Sequence, residues 1–465
     1  MIIAPLALSP PEGGLLHVTS AAQTRFSAAV SFLLASALFL FVHAHQDVSQ
    51  FFYDARDYWE QAALQVAGPR GYLFPLLLAP ARWTARALDE STLAPYRIFF
   101  SLAYAAVLTL VLPRLFTSVF GGKVSLPRRL IPCFLLATLF PGLLTYPVSG
   151  LPALLFCFGA AAVVQLWHDG PDDGVGANWR LLAAGALAAA AYNTRSIYLF
   201  SLLPLFVMVV VASATTSFQR RAALPLLFVA GALLVSLPQL VINKQVHGTF
   251  SPSPSPGRDL FAFQLFLGLE VQRYETTDHP DGAKAGVPYI DDAGRRLMEK
   301  PGVDEERRSL PNYLEILRAY PMHVLGVYGR HWVNGLDVRD GRLYITRKSD
   351  TRDAMSFYGF SLLALAAWIL LAPAARSARD ARHPSSSSPW LWAGILLLPV
   401  AAIAPGAVET RFFVPVYLLA FCTIAFKFDV RTLAADLRVR YGRVLLMFVL
   451  ALSVFSAISL TTMAQ

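Results

Sequence analysis

The sequence predicts an all-α polytopic membrane protein with about eleven transmembrane helices. Three observations support this fold class. The 465 residues are 55% hydrophobic and 15% charged, whereas a soluble domain carries about 25% charged residues. Apolar runs of roughly 17–22 residues recur along the chain, and about 20 residues cross a bilayer. Nearly half of the charged residues lie between Asn243 and Ala354. This composition excludes an ordinary soluble enzyme and a disordered chain.

The predicted spans follow the apolar runs in order. They are 26–43, 95–113, 130–146, 148–167, 180–193, 196–214, 222–242, 355–372, 389–405, 411–427 and 443–461. A shorter run, Tyr72 to Ala81, is bounded by prolines and predicts a re-entrant or interfacial helix.

The loops between spans predict an orientation. Lysines and arginines cluster before the third, seventh, ninth and last spans, and such clusters mark cytoplasmic loops. The chain then divides into a cytoplasmic extension (1–25), a transmembrane module (26–242) with a first external loop (43–94), a large external loop (243–354) and C-terminal transmembrane helices (355–465). No Asn-x-Ser/Thr sequence occurs, which favours a bacterial inner membrane.

Several classes of function lack support. The net charge is +9. Lysines and arginines collect in the cytoplasmic loops of membrane proteins, which accounts for this charge, so we expect no nucleic-acid partner. The three cysteines lie in apolar runs without metal-ligand spacing. No nucleotide-binding or metalloprotease motif is present. We therefore expect no cofactor and no metal site, and the sequence does not support a divalent cation.

The first external loop carries two carboxylates, Asp54 and Asp57, beside Tyr58. Three residues apart on a helix, the carboxylates share a face. A partly desolvated carboxylate at a membrane surface suits a general base. The alternative is that Asp54 caps a helix and that Asp57 interacts with its dipole.

Arginines at the ends of spans are candidates for binding a phosphate group. They are Arg70, Arg195 and Arg411, the last beside Glu409. Each has a structural alternative. Arg70 could reach lipid headgroups, Arg195 could stabilise a turn, and Glu409 could pair with Arg411 solely to fix helix packing.

The large external loop contains an apolar pattern with helical spacing from Leu314 to Tyr328, broken at Pro321. This pattern predicts amphipathic helices on the membrane surface. Arg330 and His331 follow near the end of the pattern. They are either interfacial anchors or residues that reach the site.

The order of these motifs resembles the GT-C superfamily of membrane glycosyltransferases. The resemblance rests on Asp54-Ala-Arg-Asp57-Tyr58, on a Gly-Tyr-Leu-Phe-Pro-Leu-Leu hairpin, on Thr194-Arg195 and on a late Glu-x-Arg-Phe-x-x-Pro. Within that superfamily the chain is most similar to bacterial relatives of protein O-mannosyltransferases and of lipid A aminoarabinose transferases.

The resemblance implies transfer of a sugar from a polyprenyl-phosphate donor to a glycan, lipid or protein acceptor on the external face, with inversion. It implies that Asp54 or Asp57 is the base, of which we favour Asp54. It further implies that Arg70, Arg195 and Arg411 bind the donor phosphate, and Tyr58, Glu409 and His331 are candidate substrate contacts. Relatives often have a paired Asp-Glu where this chain spaces two aspartates. A transporter or flippase, or a non-catalytic membrane scaffold, remains the alternative.

Overall fold

The structure is a computed structural model of the chain. It describes residues 14–46, 48, 51, 53–64, 71–89, 93–169, 175–214, 218–254, 260–275, 287–299, 308–340, 352–371, 389–428 and 449. The predicted span 443–461, apart from residue 449, and the candidate Arg70 lie outside the described residues, as does most of the predicted N-terminal extension.

Most of the described residues are helical. The helices are α1 (Gly14–His45), α2 (Tyr53–Gln61), α3 (Leu73–Leu88), α4 (Ala94–Ala106), α5 (Leu112–Phe120), α6 (Leu126–Leu139), α7 (Pro141–Thr145), α8 (Gly150–His168), α9 (Val175–Thr194), α10 (Leu199–Ser213), α11 (Phe218–His247), α12 (Leu260–Glu270), α13 (Asp292–Met298), α14 (Leu310–Ala319), α15 (Pro321–Leu336), α16 (Arg352–Leu371), α17 (Pro389–Ile403) and α18 (Val414–Lys427).

Among the residues that the structure describes, seven helical stretches are long and apolar enough to cross a membrane. They are Gln23–His45, Ala94–Phe120, Gly150–His168, Ser196–Ser213, Arg221–His247, Asp353–Leu370 and Thr410–Lys427. The prediction of a helical membrane protein is thus supported, whereas eleven spans are not confirmed. The predicted span 130–146 is divided at Phe140 into α6 and α7, and α17 has 15 residues.

The described segments also include two short strands, which the all-α prediction missed. β1 (Val271–Glu275) pairs antiparallel with β2 (Val287–Ile290). The strands have only five and four residues. An alternation of apolar and polar residues cannot be recognised over so short a length, directly after the apolar helix α12. A single parallel bridge joins Arg273 of β1 to Val408, next to the start of the last described span.

Helices α9 and α11 pack closely against each other. A Cβ atom added to Gly185 would lie 1.9 Å from the carbonyl oxygen of Phe228, and one added to Gly231 would lie 1.9 Å from that of Leu182. Small residues allow this approach between helices in membranes. At one end of the pair, Asn193 donates a hydrogen bond to Ser236 (3.4 Å).

A buried arginine stabilises the break between α4 and α5. Pro113 has no N–H group, so the carbonyl of Thr109, four residues earlier, loses its helical partner. The intervening residues Val107–Val111 form a π-helical turn. Arg129 of α6, 5% exposed, donates to the Thr109 carbonyl. The sequence placed Arg129 in a cytoplasmic cluster, and the structure gives it this internal partner.

The predicted amphipathic segment is confirmed as two helices that separate at Tyr320, where α15 begins with Pro321. Tyr313 and Ile316 are buried, whereas Leu314 and Met322 are exposed by 54% and 75%. Each helix therefore has an apolar exposed face, as expected of a helix at a membrane surface.

Candidate functional site

Four segments converge where several helices begin or end. They are helix α2, the first turn of α8, the residues between α9 and α10, and the turn before α18. The predicted helix around the two aspartates is confirmed, because α2 begins at Tyr53 and carries Asp54 in its first turn. The chain thus brings together residues from the first loop and from the far end of the sequence.

Arg411 lies between two carboxylates. Its Nη2 atom donates to Oδ2 of Asp54 at 3.1 Å and to Oε1 of Glu409 at 2.8 Å. Its Nε atom lies 2.6 Å from Oε2 of Glu409. The side chains of Arg411, Glu409 and Asp54 are 10%, 14% and 26% exposed. Charged hydrogen bonds in such a partly desolvated setting are strong and directional, so the group is well ordered.

Arg195 faces the same site from the α9–α10 connection. Its guanidinium carbon lies 4.4 Å from the centre of the Phe412 ring, and that of Arg411 lies 5.4 Å from the same ring. Phe412 therefore interacts with both cations, and a cation over an aromatic face is attracted by the ring. A Cβ atom added to Gly150, the first residue of α8, would lie 3.5 Å from Nη1 of Arg195.

Burial, followed by the charge of Arg411, lowers the pKa of Arg195 below its ordinary value. Arginine side chains nevertheless stay protonated in proteins at neutral pH. Within the part of the chain that the structure describes, no carbonyl or carboxylate accepts a hydrogen bond from this guanidinium. Two neighbouring cations and the N-terminal end of a 19-residue helix together favour an anion.

A small cavity lies among these groups. Its volume is about 20 Å³, and its lining includes Gly150, Arg195, Tyr198, Arg411 and Phe412. That volume suffices for a water molecule and is far too small for a sugar ring. A sugar attached to an anion bound here would have to lie outside the cavity.

The two predicted aspartates have different surroundings. Asp54 contacts Arg411, whereas Asp57 is exposed on a part of α2 that also carries the exposed pair Arg56–Glu60. Of the two, the structure places Asp54 with the arginines. Tyr58 is 3% exposed, and its hydroxyl lies 3.0 Å from that of Ser149. It therefore joins α2 to the residue that precedes α8.

His331 lies away from the cavity lining. It is fully buried, and its Nδ1 atom lies 2.6 Å from the carbonyl oxygen of Ala404. Its neighbour Arg330 makes two hydrogen bonds, of 2.7 and 2.9 Å, to the carboxylate of Asp291. These contacts connect α15 to other parts of the protein and do not bring either residue to the paired arginines.

Sequence reasoning missed two participants. Phe412 follows Arg411 directly, and a signal for it existed in the run Glu-Thr-Arg-Phe-Phe, since aromatic rings often accompany arginines. Gly150, inside the predicted span 148–167, begins α8, and no residue pattern near it signals its closeness to Arg195. Among the described residues, no group of three or more His, Cys, Asp or Glu side chains is placed to hold a metal ion.

The fold and the site together describe a helical protein with helices long and apolar enough to span a membrane, and with two arginines and two carboxylates clustered at helix ends. Comparisons with protein-family models, with curated proteins and with solved structures found no match for the chain.

Proposed function

We propose that the protein is a membrane glycosyltransferase that takes a sugar from a polyprenyl-phosphate donor. The main observation in support of this proposal is that two arginines, Arg195 and Arg411, lie beside the carboxylate of Asp54. The site lies at the ends of apolar helices. A lipid-linked phosphate needs this location, because its chain stays in the bilayer while its phosphate remains at the polar surface.

In the proposed reaction, Arg195, Arg411 and the first turn of α8 bind the donor phosphate. Asp54 accepts the proton of the acceptor hydroxyl as the hydroxyl oxygen attacks the anomeric carbon. The bond from this carbon to the phosphate oxygen breaks, and polyprenyl phosphate leaves with the electron pair. Preorganised positive charge at the leaving group lowers the barrier, and displacement on one face inverts the anomeric centre.

The contact between Asp54 and Arg411 implies that the donor binds first and that the base is activated afterwards. A donor phosphate competes with the Asp54 carboxylate for Nη2 of Arg411. Once Arg411 binds the phosphate, Asp54 loses an ionic partner and becomes a better proton acceptor. The base would thus be activated in the presence of the donor. Glu409 then keeps Arg411 oriented through its own two contacts.

The proposed setting is a bacterial inner membrane with the site on the external face and the N-terminus in the cytoplasm. Its partners are membrane lipids, the polyprenyl-phosphate sugar and a glycan, lipid or protein acceptor. The uneven distribution of lysine and arginine among the loops supports this orientation.

The decisive experiment compares Asp54→Asn with Asp57→Asn in a deletion strain whose envelope glycans are analysed by mass spectrometry. We expect Asp54→Asn to lower transfer about 10²- to 10⁴-fold, as loss of a general base does, and Asp57→Asn to restore the glycan. Equal amounts of folded protein in the membrane are the control. Full transfer by Asp54→Asn would disprove the assignment of the base.

A binding experiment separates this proposal from a transporter or a scaffold. Purified protein in detergent micelles is titrated with polyprenyl phosphate and, separately, with the corresponding polyprenol. We expect binding that requires the phosphate and is weakened at least tenfold in Arg195→Ala. The exposed Arg86 supplies a matched control, Arg86→Ala, which should bind as the wild type does. Equal binding of the alcohol and the phosphate would contradict the proposed donor.

A further inference from the structure

We propose that the buried Arg273 is a positioning residue that fixes Arg411 through the backbone of Asp337 and the side chain of Thr410. The proposal rests on the function proposed above and names the structural support of its phosphate site. Arg273 belongs to β1, in the segment that the sequence predicted as the large external loop. It would give that segment a role in donor binding.

Arg273 is a buried cation with backbone partners. It is 1% exposed, and its Nη1 atom donates to the carbonyl oxygens of Asn334 (2.8 Å) and Asp337 (2.7 Å). A buried charge is costly unless its hydrogen-bonding groups are satisfied. This requirement holds the end of α15 in a defined position against β1.

The carbonyl oxygen of Asp337 has a second donor. The hydroxyl of Thr410, the residue before Arg411, donates to it at 3.1 Å. Thr410 is 5% exposed, so this hydrogen bond is shielded from water. One carbonyl oxygen therefore connects the guanidinium of Arg273 to the turn that carries Arg411.

Two further contacts make this connection rigid. The backbone of Arg273 forms a parallel bridge with Val408, three residues before Arg411. The fully buried carboxylate of Asp337 accepts hydrogen bonds from the Nε atom (2.8 Å) and the backbone N–H (3.1 Å) of Arg339. The Val408–Thr410 stretch is thus held at both ends, and the carbonyl that holds it is itself fixed.

The need for this support follows from the charges at the site. Arg195 and Arg411 both lie over the ring of Phe412, and like charges repel each other. The carboxylates of Asp54 and Glu409 offset this repulsion at the guanidinium of Arg411. A turn fixed at Val408 and Thr410 keeps the backbone that carries Arg411 in place, so its side chain remains in position when an incoming phosphate displaces Asp54.

Thr410 offers the mildest test, because valine has the same shape without the hydroxyl. We expect Thr410→Val to weaken binding of polyprenyl phosphate about threefold to tenfold, in line with the loss of one buried hydrogen bond. Thr410→Ser retains the hydroxyl and should restore binding to within about twofold of the wild type. Both variants should unfold cooperatively in detergent, and binding is normalised to folded protein.

A second pair of variants acts on the arginine itself. In Arg273→Lys, an ammonium group can still donate to two carbonyls, whereas Arg273→Met removes the donors and keeps most of the volume. We expect the lysine variant to bind polyprenyl phosphate better than the methionine variant. If Arg273→Met fails to fold, the Thr410 pair decides the question alone.

The outcomes separate the two proposals. If wild-type protein does not prefer polyprenyl phosphate to polyprenol, the proposed function fails, and the role of Arg273 fails with it. If the wild type shows this preference but Thr410→Val binds the phosphate equally well, the positioning role alone is overturned. Weaker binding by Thr410→Val with rescue by Thr410→Ser supports the positioning role.

Discussion

Nη2 of Arg411 lies 3.1 Å from Oδ2 of Asp54, although the two residues are 357 positions apart in the chain. Asp54 follows the first described span, and Arg411 lies at the start of the last one. Their contact therefore joins the first and the last described spans at the site.

Phe412 should determine how well the paired arginines bind an anion. Replacing it with leucine removes the aromatic ring that both Arg195 and Arg411 contact, so we expect phosphate-dependent binding of polyprenyl phosphate to weaken about tenfold. Phe412→Tyr keeps the ring and should bind as the wild type does. Titration in detergent micelles provides the measurement, and unchanged affinity in Phe412→Leu would show that the ring is dispensable.

The Tyr58–Ser149 hydrogen bond should contribute to stability more than to substrate binding. We expect Tyr58→Phe and Ser149→Ala each to lower the free energy of unfolding by about 1 kcal/mol. The double variant should lose less than the sum, because both changes remove the same interaction. Denaturation of the purified variants provides the measurement. A large change in donor affinity without a change in stability would favour a direct substrate contact for Tyr58.

The crossing of α9 and α11 should not tolerate a methyl group. We expect Gly185→Ala or Gly231→Ala to destabilise the protein by about 2–3 kcal/mol, since the added Cβ would overlap a backbone carbonyl that cannot rotate away. For Gly394, in α17, no atom of the described residues outside its own helix backbone lies within 4 Å of an added Cβ. Gly394→Ala is therefore the matched control and should unfold at the wild-type temperature or slightly above it, as monitored by light scattering.

His331 should make stability depend on pH. Burial is the main cause that lowers its pKa in the folded protein, whereas the unfolded chain has the ordinary value of about 6.5. The unfolded state therefore binds the proton more readily, so stability falls as the pH drops below about 6.5. The unfolding temperature of the wild type should decrease on acidification, and that of His331→Gln should decrease less.

Local spacing was enough to predict part of the site. Asp54 in the first turn of a short helix, the break before Pro321 and the position of Arg195 after a helix all follow from nearby residues. These features depend on backbone rules that act over a few positions. The sequence therefore placed the candidate residues on the right kinds of element.

Contacts between residues far apart in the sequence could not be predicted from local spacing. The bond from Arg330 to Asp291 spans 39 residues, and the pairing of β1 with β2 connects segments with no shared pattern. Likewise, nothing local distinguishes Asp54 from Asp57, because their difference arises from Arg411. Tertiary packing decides such pairings, and packing depends on shapes that a single sequence does not display.

The length of α11 has a consequence for access to the site. Its 30 residues extend over about 45 Å, against a hydrocarbon layer of about 30 Å. Beyond Ser236, which contacts Asn193 near Arg195, the helix continues for 11 residues to His247, a further rise of about 16 Å. The last 11 residues of α11 therefore continue beyond the end of α9, which Arg195 follows directly. An acceptor approaching the proposed site from this side would have to pass this part of the helix.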